Sequence, residues 1–284
     1  MASSVRDLRS APPETSTTSE RAGAHELRAI AAPIAGPPTW LDSVFDRILC
    51  DVDGRESSRV AVGHAARLLA PGGVLELVSV ADAGTGNGDG PTREHSYERA
   101  QAALHVGLGW YASSRSLLVF GDPGEALATA ALRTRATLTA VGARAGGGSA
   151  GPPVDAVAAH LLRYAHSSVL IARPTGDEQR FPRSILVGLD GSSHADAAAS
   201  VAAALAARCG APLRTLEVGG SALRLVGALV SASVGCDLLV VGSRGADDAP
   251  LLGRAADGVA ELARCSVLVV REPPPEDAAR DLDP

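Results

Sequence analysis

The chain has 284 residues and a mass of 28.7 kDa, with 46% hydrophobic but only 3% aromatic residues. All 26 basic residues are arginines, which excludes phosphate loops and Schiff-base sites that depend on a lysine. The formal net charge of −6 disfavours nucleic acid or an anionic membrane as a partner. The four cysteines lack metal-ligand spacing and no apolar run is long enough to span a membrane. We therefore expect a cytoplasmic protein with reduced thiols and no metal site.

The two ends of the chain differ in composition from its middle. Residues 1–43 are rich in Ser, Thr, Pro and Ala, and residues 273–284 form an acidic tail that starts with prolines, so both are predicted to be disordered. Between them, β-branched runs alternate with Ala-rich stretches, which is typical of βαβ units. The predicted strands are Arg47–Val52, Val74–Val80, Ser116–Phe120, Leu138–Val141, Ser168–Ala172, Ser184–Leu189, Leu213–Val218, Leu238–Val241 and Val267–Val270. The predicted helices lie near Ser57–Leu69, Arg93–Gly107, Gly124–Arg135, Val154–Ala165, His194–Cys209, Ala222–Val234 and Gly253–Arg264.

Three segments of the first part of the chain recur later in the same order. The matched pairs are Ile48–Gly54 and Ile185–Gly191, Val141–Arg144 and Val241–Arg244, and Ala165–Arg173 and Ala263–Arg271. The offset falls from 137 residues at the first pair to 100 and 98 at the others, so the second copy lacks the length of one strand and one helix. We therefore predict an α/β chain of two tandem domains, 44–175 and 181–272, of which the second is abbreviated.

Four segments match motifs of a known family. They are Ile185–Ser192, Asp237–Gly245, Cys265–Arg271 and, in the first copy, Phe120–Leu127. Together, over roughly residues 45–272, the chain resembles the universal stress protein family in its tandem two-domain form. The resemblance implies two doubly wound, Rossmann-like parallel sheets with strand order 3-2-1-4-5, the second lacking one strand–helix unit. It also implies ATP binding, with the Asp that ends strand 1 facing adenine and a G-x2-G-x9-G-(S/T) loop after strand 4 holding ribose and phosphates.

The second copy keeps most of this nucleotide-binding pattern. Its candidate residues are Asp190, Gly191, Gly242, Gly245, Gly253 and Arg254. Glycines let backbone N–H groups converge on a phosphate at a helix N-terminus, in the crevice where the strand order reverses. Seven residues instead of nine separate Gly245 from Gly253, and Arg254 stands where Ser or Thr is expected. We expect Arg254 either to contact a phosphate through its guanidinium group or to fill the site without a ligand.

The first copy matches the pattern less well. Its candidates are Asp53 and Gly142, but Ala145 replaces the second glycine and Asp155 occupies the third glycine position. A carboxylate near the phosphates is unfavourable unless a metal ion bridges them, so nucleotide is expected in the second copy, with Mg²⁺ only as its counterion. In both copies an alternative remains: Asp-Gly at a strand end is ordinary turn chemistry, and the glycines after strand 4 only begin a loop.

Two other functions compete with regulatory nucleotide binding. In the first, the chain is a scaffold without nucleotide, and Val267–Val270 pairs with its counterpart in the other copy, giving a pseudo-two-fold arrangement and leaving a homodimer open. In the second, Asp51 and Asp53 are the catalytic pair of a Mg²⁺-dependent phosphatase of the haloacid dehalogenase type. Arg55 replaces the expected Thr or Ser of that motif, and Gly188 stands in place of Asp51 in the second copy. We expect a non-enzymatic protein, with weak ATP hydrolysis left open.

Overall fold

The structure, a computed structural model, shows an α/β fold with nine strands and seven α-helices among its described residues. These residues are 44–82, 93–111, 113–143, 154–217, 222–244 and 253–271. The predicted disorder of 1–43 and 273–284 concerns residues outside this set and stays a prediction. Within the set, no helix is both long and apolar enough to cross a membrane.

All nine predicted strands and all seven predicted helices are present, with ends that differ from the predicted ones by a few residues. The strands are β1 (Arg47–Asp51), β2 (Val74–Ala81), β3 (Arg115–Phe120), β4 (Leu138–Gly142), β5 (Ser168–Ala172), β6 (Ile185–Leu189), β7 (Leu213–Glu217), β8 (Leu238–Gly242) and β9 (Ser266–Val270). The helices are α1 (Glu56–Leu68), α2 (Arg93–Trp110), α3 (Pro123–Arg133), α4 (Ala156–Tyr164), α5 (Ser193–Cys209), α6 (Ala222–Ala232) and α7 (Arg254–Leu262).

The nine strands form one sheet in the order β3-β2-β1-β4-β5-β9-β8-β6-β7. Strands within the first half, β1 to β5, are parallel, as are those within the second half, β6 to β9. The two halves meet at an antiparallel pair, β5 and β9. The predicted α/β class with doubly wound halves is confirmed, whereas the predicted domain boundaries stay predictions. Because the halves run in opposite directions, the carboxyl ends of their strands lie at opposite ends of the sheet.

The second half has no counterpart of α2 and β3 among its described residues. In the first half the chain passes from β2 through α2 and β3 to α3, whereas only residues 218–221 separate β7 from α6. Helix α6 packs against α7 in the way that α3 packs against α4, so α6 corresponds to α3. The missing elements are thus one strand and one helix, as the change of offset between the repeats predicts.

Each face of the sheet carries an apolar layer that spans both halves. Helices α1, α2 and α5 contribute to one layer, and α3, α4, α6 and α7 contribute to the other. Most core side chains are Ala, Val, Leu or Ile, and residues such as Leu49 and Leu239 are fully buried. Burying one such leucine stabilises the fold by about 2 kcal/mol. This packing sets the starts of α1 and α5 close to the carboxyl ends of β1 and β6.

The junction between the halves is approximately two-fold symmetric. Its paired residues are Val169 and Val269, Leu170 and Leu268, and Ile171 and Val267. The predicted pairing of the last strand of one copy with its counterpart in the other is therefore confirmed. These side chains are all fully buried, so the junction is part of the core.

Two arginines connect the halves from opposite sides of this junction. Arg173 follows β5, and its guanidinium donates a hydrogen bond to the carbonyl of Ala260 in α7. Arg271 follows β9, and its guanidinium donates to the carbonyl of Leu162 in α4. A cation is favourable near the C-terminal end of a helix, where carbonyl groups lack partners. Each half is thus tied to the last helix of the other half.

Candidate functional site

The candidate aspartates lie in matching turns at the carboxyl ends of β1 and β6. Each is followed by a glycine with positive φ, +79° at Gly54 and +81° at Gly191, a conformation that side chains other than glycine rarely adopt. Each turn leads directly into the next helix, α1 or α5. Asp53 and Asp190 therefore occupy equivalent places, at the strand ends where the sequence predicts them.

The carboxylate of Asp190 organises the start of α5. Its Oδ1 accepts hydrogen bonds from the main-chain N–H of Ser192, at 3.0 Å, and from the Ser192 hydroxyl, at 2.6 Å. The hydroxyl oxygen in turn accepts from the N–H of Ala195 at 3.2 Å and caps the helix. In the part of the chain that the structure describes, no donor contacts Oδ2 of Asp190. One carboxylate oxygen thus supports the turn, and the other remains available.

The carboxylate of Asp53 is engaged on both sides. Its Oδ1 accepts hydrogen bonds from the main-chain N–H of Arg55, at 3.0 Å, and from the hydroxyl of Ser58. Its Oδ2 lies 3.2 Å from the guanidinium of Arg55. Both oxygens therefore have partners next to the turn itself, which makes Asp53 less available to a ligand than Asp190.

The glycines that end β4 and β8 are explained by close contacts with the preceding helices. A Cβ on Gly142 would lie 2.2 Å from the carbonyl oxygen of Ser57, at the start of α1. A Cβ on Gly242 would lie 2.6 Å from that of His194, at the start of α5. Neither position has room for a side chain, so packing alone requires glycine at both. The candidate Gly245 lies outside the described residues.

The helices after β4 and β8 begin differently in the two halves. Helix α4 follows Asp155, whose carboxylate accepts a hydrogen bond from the N–H of Ala158 at 2.8 Å. Helix α7 follows Gly253, which offers no side-chain cap, and its first residue is the exposed Arg254. The N–H of Gly253 donates to the carbonyl of Ser243 at 2.8 Å, which holds the start of α7 beside the end of β8. Among the described residues no side chain caps the first turn of α7, which contains the exposed Asp257 further along, whereas the carboxylate of Asp155 caps that of α4.

Two further arginines lie at the same edge of the second half, and sequence reasoning missed them as site residues. Arg244 follows β8 and Arg271 follows β9, and the N–H of Ser243 donates to the carbonyl of Val270 at 2.9 Å, which keeps the two chain segments adjacent. Burial lowers the pKa of the Arg271 guanidinium, and the positive charge of Arg244 lowers it further. Both arginines end repeated segments of the sequence, and that repetition is the signal that could have identified them.

The contacts around Asp51 and Asp53 give little support to the phosphatase interpretation. Arg55 engages the Asp53 carboxylate, which that mechanism needs as an acid or a base. Among the described residues there is no group of three or more His, Cys, Asp or Glu side chains that could hold a metal ion. In the second half a Cβ on Gly188 would lie 2.7 Å from Cδ1 of Leu229, so the position equivalent to Asp51 is filled by packing.

The sequence matches a family model in two segments. The model of the universal stress protein family matches residues 45–173 and 217–271, which together are more than half of the chain. The chain belongs to the universal stress protein family. The first segment contains the whole first half of the sheet, and the second starts at the end of β7. A comparison with curated proteins finds no significant match.

Two solved structures resemble the chain over 80% or more of its length, and a third matches less than half of it. A universal stress protein from Archaeoglobus fulgidus DSM 4304 is 16% identical, with a TM-score of 0.64 and coverage of 80% of this chain and 98% of that chain. A functionally unknown protein, PA1789 from Pseudomonas aeruginosa PAO1, is 14% identical, with a TM-score of 0.57 and coverage of 86% and 98%. A universal stress protein in complex with cAMP is 23% identical, with a TM-score of 0.38 and coverage of 46% and 99%. At these identities the first two support the fold alone, and the third carries no argument.

Proposed function

We propose that the chain is a cytoplasmic, regulatory protein of the stress response that binds ATP or another adenine nucleotide in its second half. Asp190 faces the base, and the backbone at Gly191 and Gly242, together with Gly245, holds the ribose and the inner phosphates. Gly253 and Arg254 hold the outer phosphates, and Mg²⁺ accompanies the nucleotide as its counterion. The four free cysteines agree with a reducing compartment.

One observation carries this proposal, the difference between the N-termini of α4 and α7. Asp155 already supplies a negative charge to the first turn of α4, so a phosphate there would meet a carboxylate. The first turn of α7 has no side-chain cap and begins with an exposed arginine, Arg254. Backbone N–H groups and a guanidinium group are the donors that proteins use for phosphate. In a chain without lysine, arginine and Mg²⁺ are the cations left for this purpose.

Calorimetric titration of the full chain with ATP and Mg²⁺ tests the proposal. We expect one site per chain, because the Asp155 carboxylate already occupies the first turn of α4, whereas no described side chain caps α7. Arg254→Gln removes a charged donor without disturbing the core, and it is expected to raise the dissociation constant about tenfold. Arg99→Gln is the matched control, since Arg99 is an exposed arginine on α2, in the other half.

Three outcomes would contradict the proposal. An absence of heat and of any thermal upshift at millimolar ATP would remove nucleotide binding altogether. Two binding sites per chain would show that Asp155 does not prevent nucleotide binding in the first half. An equal loss of affinity in Arg254→Gln and Arg99→Gln would indicate that total charge, and not this site, attracts the nucleotide.

A scaffold without nucleotide is the second candidate, and the contact of Gly242 favours it. The 2.6 Å approach to the His194 carbonyl explains this glycine without any ligand. Asp190 likewise has a structural role through Ser192. If titration with ATP shows no binding in a folded chain, this candidate remains. Sedimentation of the chain over a range of concentrations then tests whether it forms a homodimer.

A further inference from the structure

Strand β3 forms one outer edge of the sheet, and its side chains are exposed or half-buried. None of its six residues is buried, whereas every residue of the junction strands β5 and β9 is buried. Phe120 at its end is 45% exposed, and its ring stacks on that of Tyr97 in α2 with the centroids 6.2 Å apart. An edge strand offers backbone N–H and C=O groups to another strand. This edge therefore combines apolar side chains that water reaches with a backbone suited to pairing.

Strand β3 carries the same apolar pattern as the two strands that join the halves. A leucine stands between two other aliphatic residues at 169–171 in β5, at 267–269 in β9 and at 117–119 in β3. At the junction the two central leucines, Leu170 and Leu268, lie opposite each other in an antiparallel pair. Strand β3 is not a copy of β5 or β9 in the sequence repeat, so duplication does not account for the shared pattern. The chain thus has, at its edge, a third strand of the kind that it already pairs antiparallel.

The opposite outer strand, β7, is less suited to such pairing. Two of its five residues, Arg214 and Glu217, are charged, whereas the single charge of β3 is on its first residue, Arg115. Charged side chains on an edge strand are a common protection against pairing with other strands. Two further residues of β7, Thr215 and Leu216, are buried within the chain. Of the two outer strands, β3 is therefore the one that offers an apolar edge.

The helices beside β3 cover the faces of the sheet. Helices α2 and α3 each contact both β2 and β3, and they belong to the apolar layers on opposite faces. Leu118 packs on the layer of α2, and Leu117 and Val119 pack on the layer of α3. Both layers thus reach the outer strand, and a strand added there continues both of them.

We infer that two copies of the chain associate through their β3 strands, which pair antiparallel about a two-fold axis. The register of the junction, repeated here, sets Leu118 opposite Leu118 of the second copy. It sets Leu117 opposite Val119 of the second copy, and Ser116 opposite Phe120. The strand is thus complementary to itself, because each residue from 117 to 119 meets an aliphatic residue on the same face. Such an interface closes with two copies, and it does not depend on nucleotide binding.

Sedimentation of the full chain without nucleotide, from about 1 µM to about 1 mM, tests this inference. We expect a monomer–dimer equilibrium in which the larger species has twice the 28.7 kDa of the chain. An interface of one strand pair is small, so the dissociation constant is expected in the micromolar range. Leu118→Glu sets two carboxylates opposite each other and is expected to raise it at least about tenfold. Leu213→Glu is the matched control, since Leu213 is a half-buried leucine of β7 that packs on the same apolar layer as Leu118.

Two further samples test the register. A mixture of Leu118→Glu and Leu118→Arg chains is expected to form a heterodimer, although neither variant dimerises alone, because the axis sets the two opposite charges face to face. Ser116→Glu changes an exposed residue and leaves the core intact. It sets a charge opposite Phe120 of the second copy and is expected to raise the dissociation constant about threefold. Circular dichroism of each variant verifies that it is folded.

Four outcomes would overturn the inference. A chain that stays monomeric up to about 1 mM does not pair through β3. A dimer that Leu118→Glu and Ser116→Glu leave unchanged, or that Leu118→Glu and Leu213→Glu weaken equally, uses another surface. A mixture of the two Leu118 variants that stays monomeric contradicts the register. A series of growing oligomers would indicate pairing of β3 with β7, which does not close.

Discussion

The two halves of the sheet share a fold and differ at a few contacts around the candidate site. In the first half the N-terminus of α4 is capped by Asp155, and both oxygens of Asp53 are engaged. In the second half α7 begins at Gly253 and Arg254 without a side-chain cap, and one oxygen of Asp190 is available. The difference teaches that a helix N-terminus serves an anion only where no side chain of the protein already occupies it.

The largest loss of stability is expected from substitution of the glycines that end β4 and β8, a feature that both halves share. Gly142→Ala places a Cβ 2.2 Å from the Ser57 carbonyl oxygen, and Gly242→Ala places one 2.6 Å from that of His194. Because backbone atoms cannot move aside locally, each change is expected to lower the free energy of unfolding by about 3 kcal/mol, with Gly142→Ala the worse. Urea unfolding measures this. Gly227→Ala is the control, since nothing lies within 4 Å of a Cβ there, and an equal loss at all three glycines would refute the explanation.

The next effect concerns a buried histidine that only the first half has. His64 in α1 is fully buried, its ring stacks on Phe181 with centroids 3.5 Å apart, and Nδ1 lies 3.2 Å from Oγ of Ser266. Burial lowers the pKa of His64 to about 3, although the charge of Asp237 raises it in part. The unfolded chain, in which the pKa of histidine is about 6.5, therefore takes up a proton that the folded chain does not. Titration of His64 therefore leaves the free energy of unfolding unchanged above pH 6.5. Below pH 6.5 it lowers this free energy by about 1.4 kcal/mol per pH unit, towards pH 3.

The second half supplies the variant that tests this pH dependence. Val201 stands at the position equivalent to His64, at the repeat offset of 137 residues. His64→Val is expected to be less stable at pH 7, because the stacking on Phe181 is lost, but to lose less stability on acidification. Urea unfolding at several pH values between 7 and 4.5 gives the two slopes. Parallel slopes for the variant and the unaltered chain would show that another group controls acid sensitivity.

A smaller effect is expected from the two arginines at the junction, and it should differ between them. Arg173 is 1% exposed, and its guanidinium donates to the carbonyls of Cys265 and Ala260. Arg173→Ala leaves buried carbonyls without partners and is expected to cost about 2 kcal/mol. Arg271 is only partly buried, so water can replace its side chain, and Arg271→Ala is expected to cost about 1 kcal/mol. Thermal unfolding compares them, and equal losses would mean that burial does not set the difference.

The smallest effect on stability is expected from a substitution that also tests the candidate site, Gly253→Asp. Gly253→Asp gives α7 the residue that caps α4, and the backbone angles of Gly253, φ −66° and ψ 145°, resemble those of Asp155, φ −77° and ψ 172°. The free energy of unfolding is expected to change by less than about 0.5 kcal/mol, because glycine is already an acceptable cap. Nucleotide affinity is expected to fall at least tenfold, since the new carboxylate occupies the phosphate position. Unchanged affinity in calorimetry would show that the N-terminus of α7 is not the binding element.

Much of the fold could be predicted because its signals are local or repeated. Runs such as Leu238–Val241 are apolar at every position, as strands buried on both faces require, and the structure places β8 there. The change in repeat offset predicts that the second copy lacks about one strand and one helix, and its described residues contain no counterpart of α2 and β3. The apolar character of Val267–Val270 predicted its pairing with the last strand of the first copy, and the structure shows that this pairing is antiparallel.

The candidate site could be predicted only in part, because its decisive contacts join residues far apart in the chain. The pattern located Gly242, but only the structure shows that the His194 carbonyl requires it to be glycine. The spacing placed Asp155 at the third glycine position, near the expected phosphates, but only the structure shows that its carboxylate caps α4. The proximity of Arg244 to Arg271 depends on the pairing of β8 with β9. Such contacts depend on tertiary packing, which a single sequence does not report.

Because β5 and β9 pair antiparallel, the carboxyl edges of the two halves lie at opposite ends of the sheet. One carboxyl edge of the sheet, that of the first half, carries a turn and a helix start whose charges are matched within the protein. The opposite edge carries the uncapped helix and its arginines. Under the proposed function, a partner protein that docks on the first edge meets the same surface with or without nucleotide, whereas one that docks on the second edge meets a surface that changes on binding. Under that proposal, a chain built from two copies of one unit has one edge that nucleotide leaves unchanged and one edge that it alters.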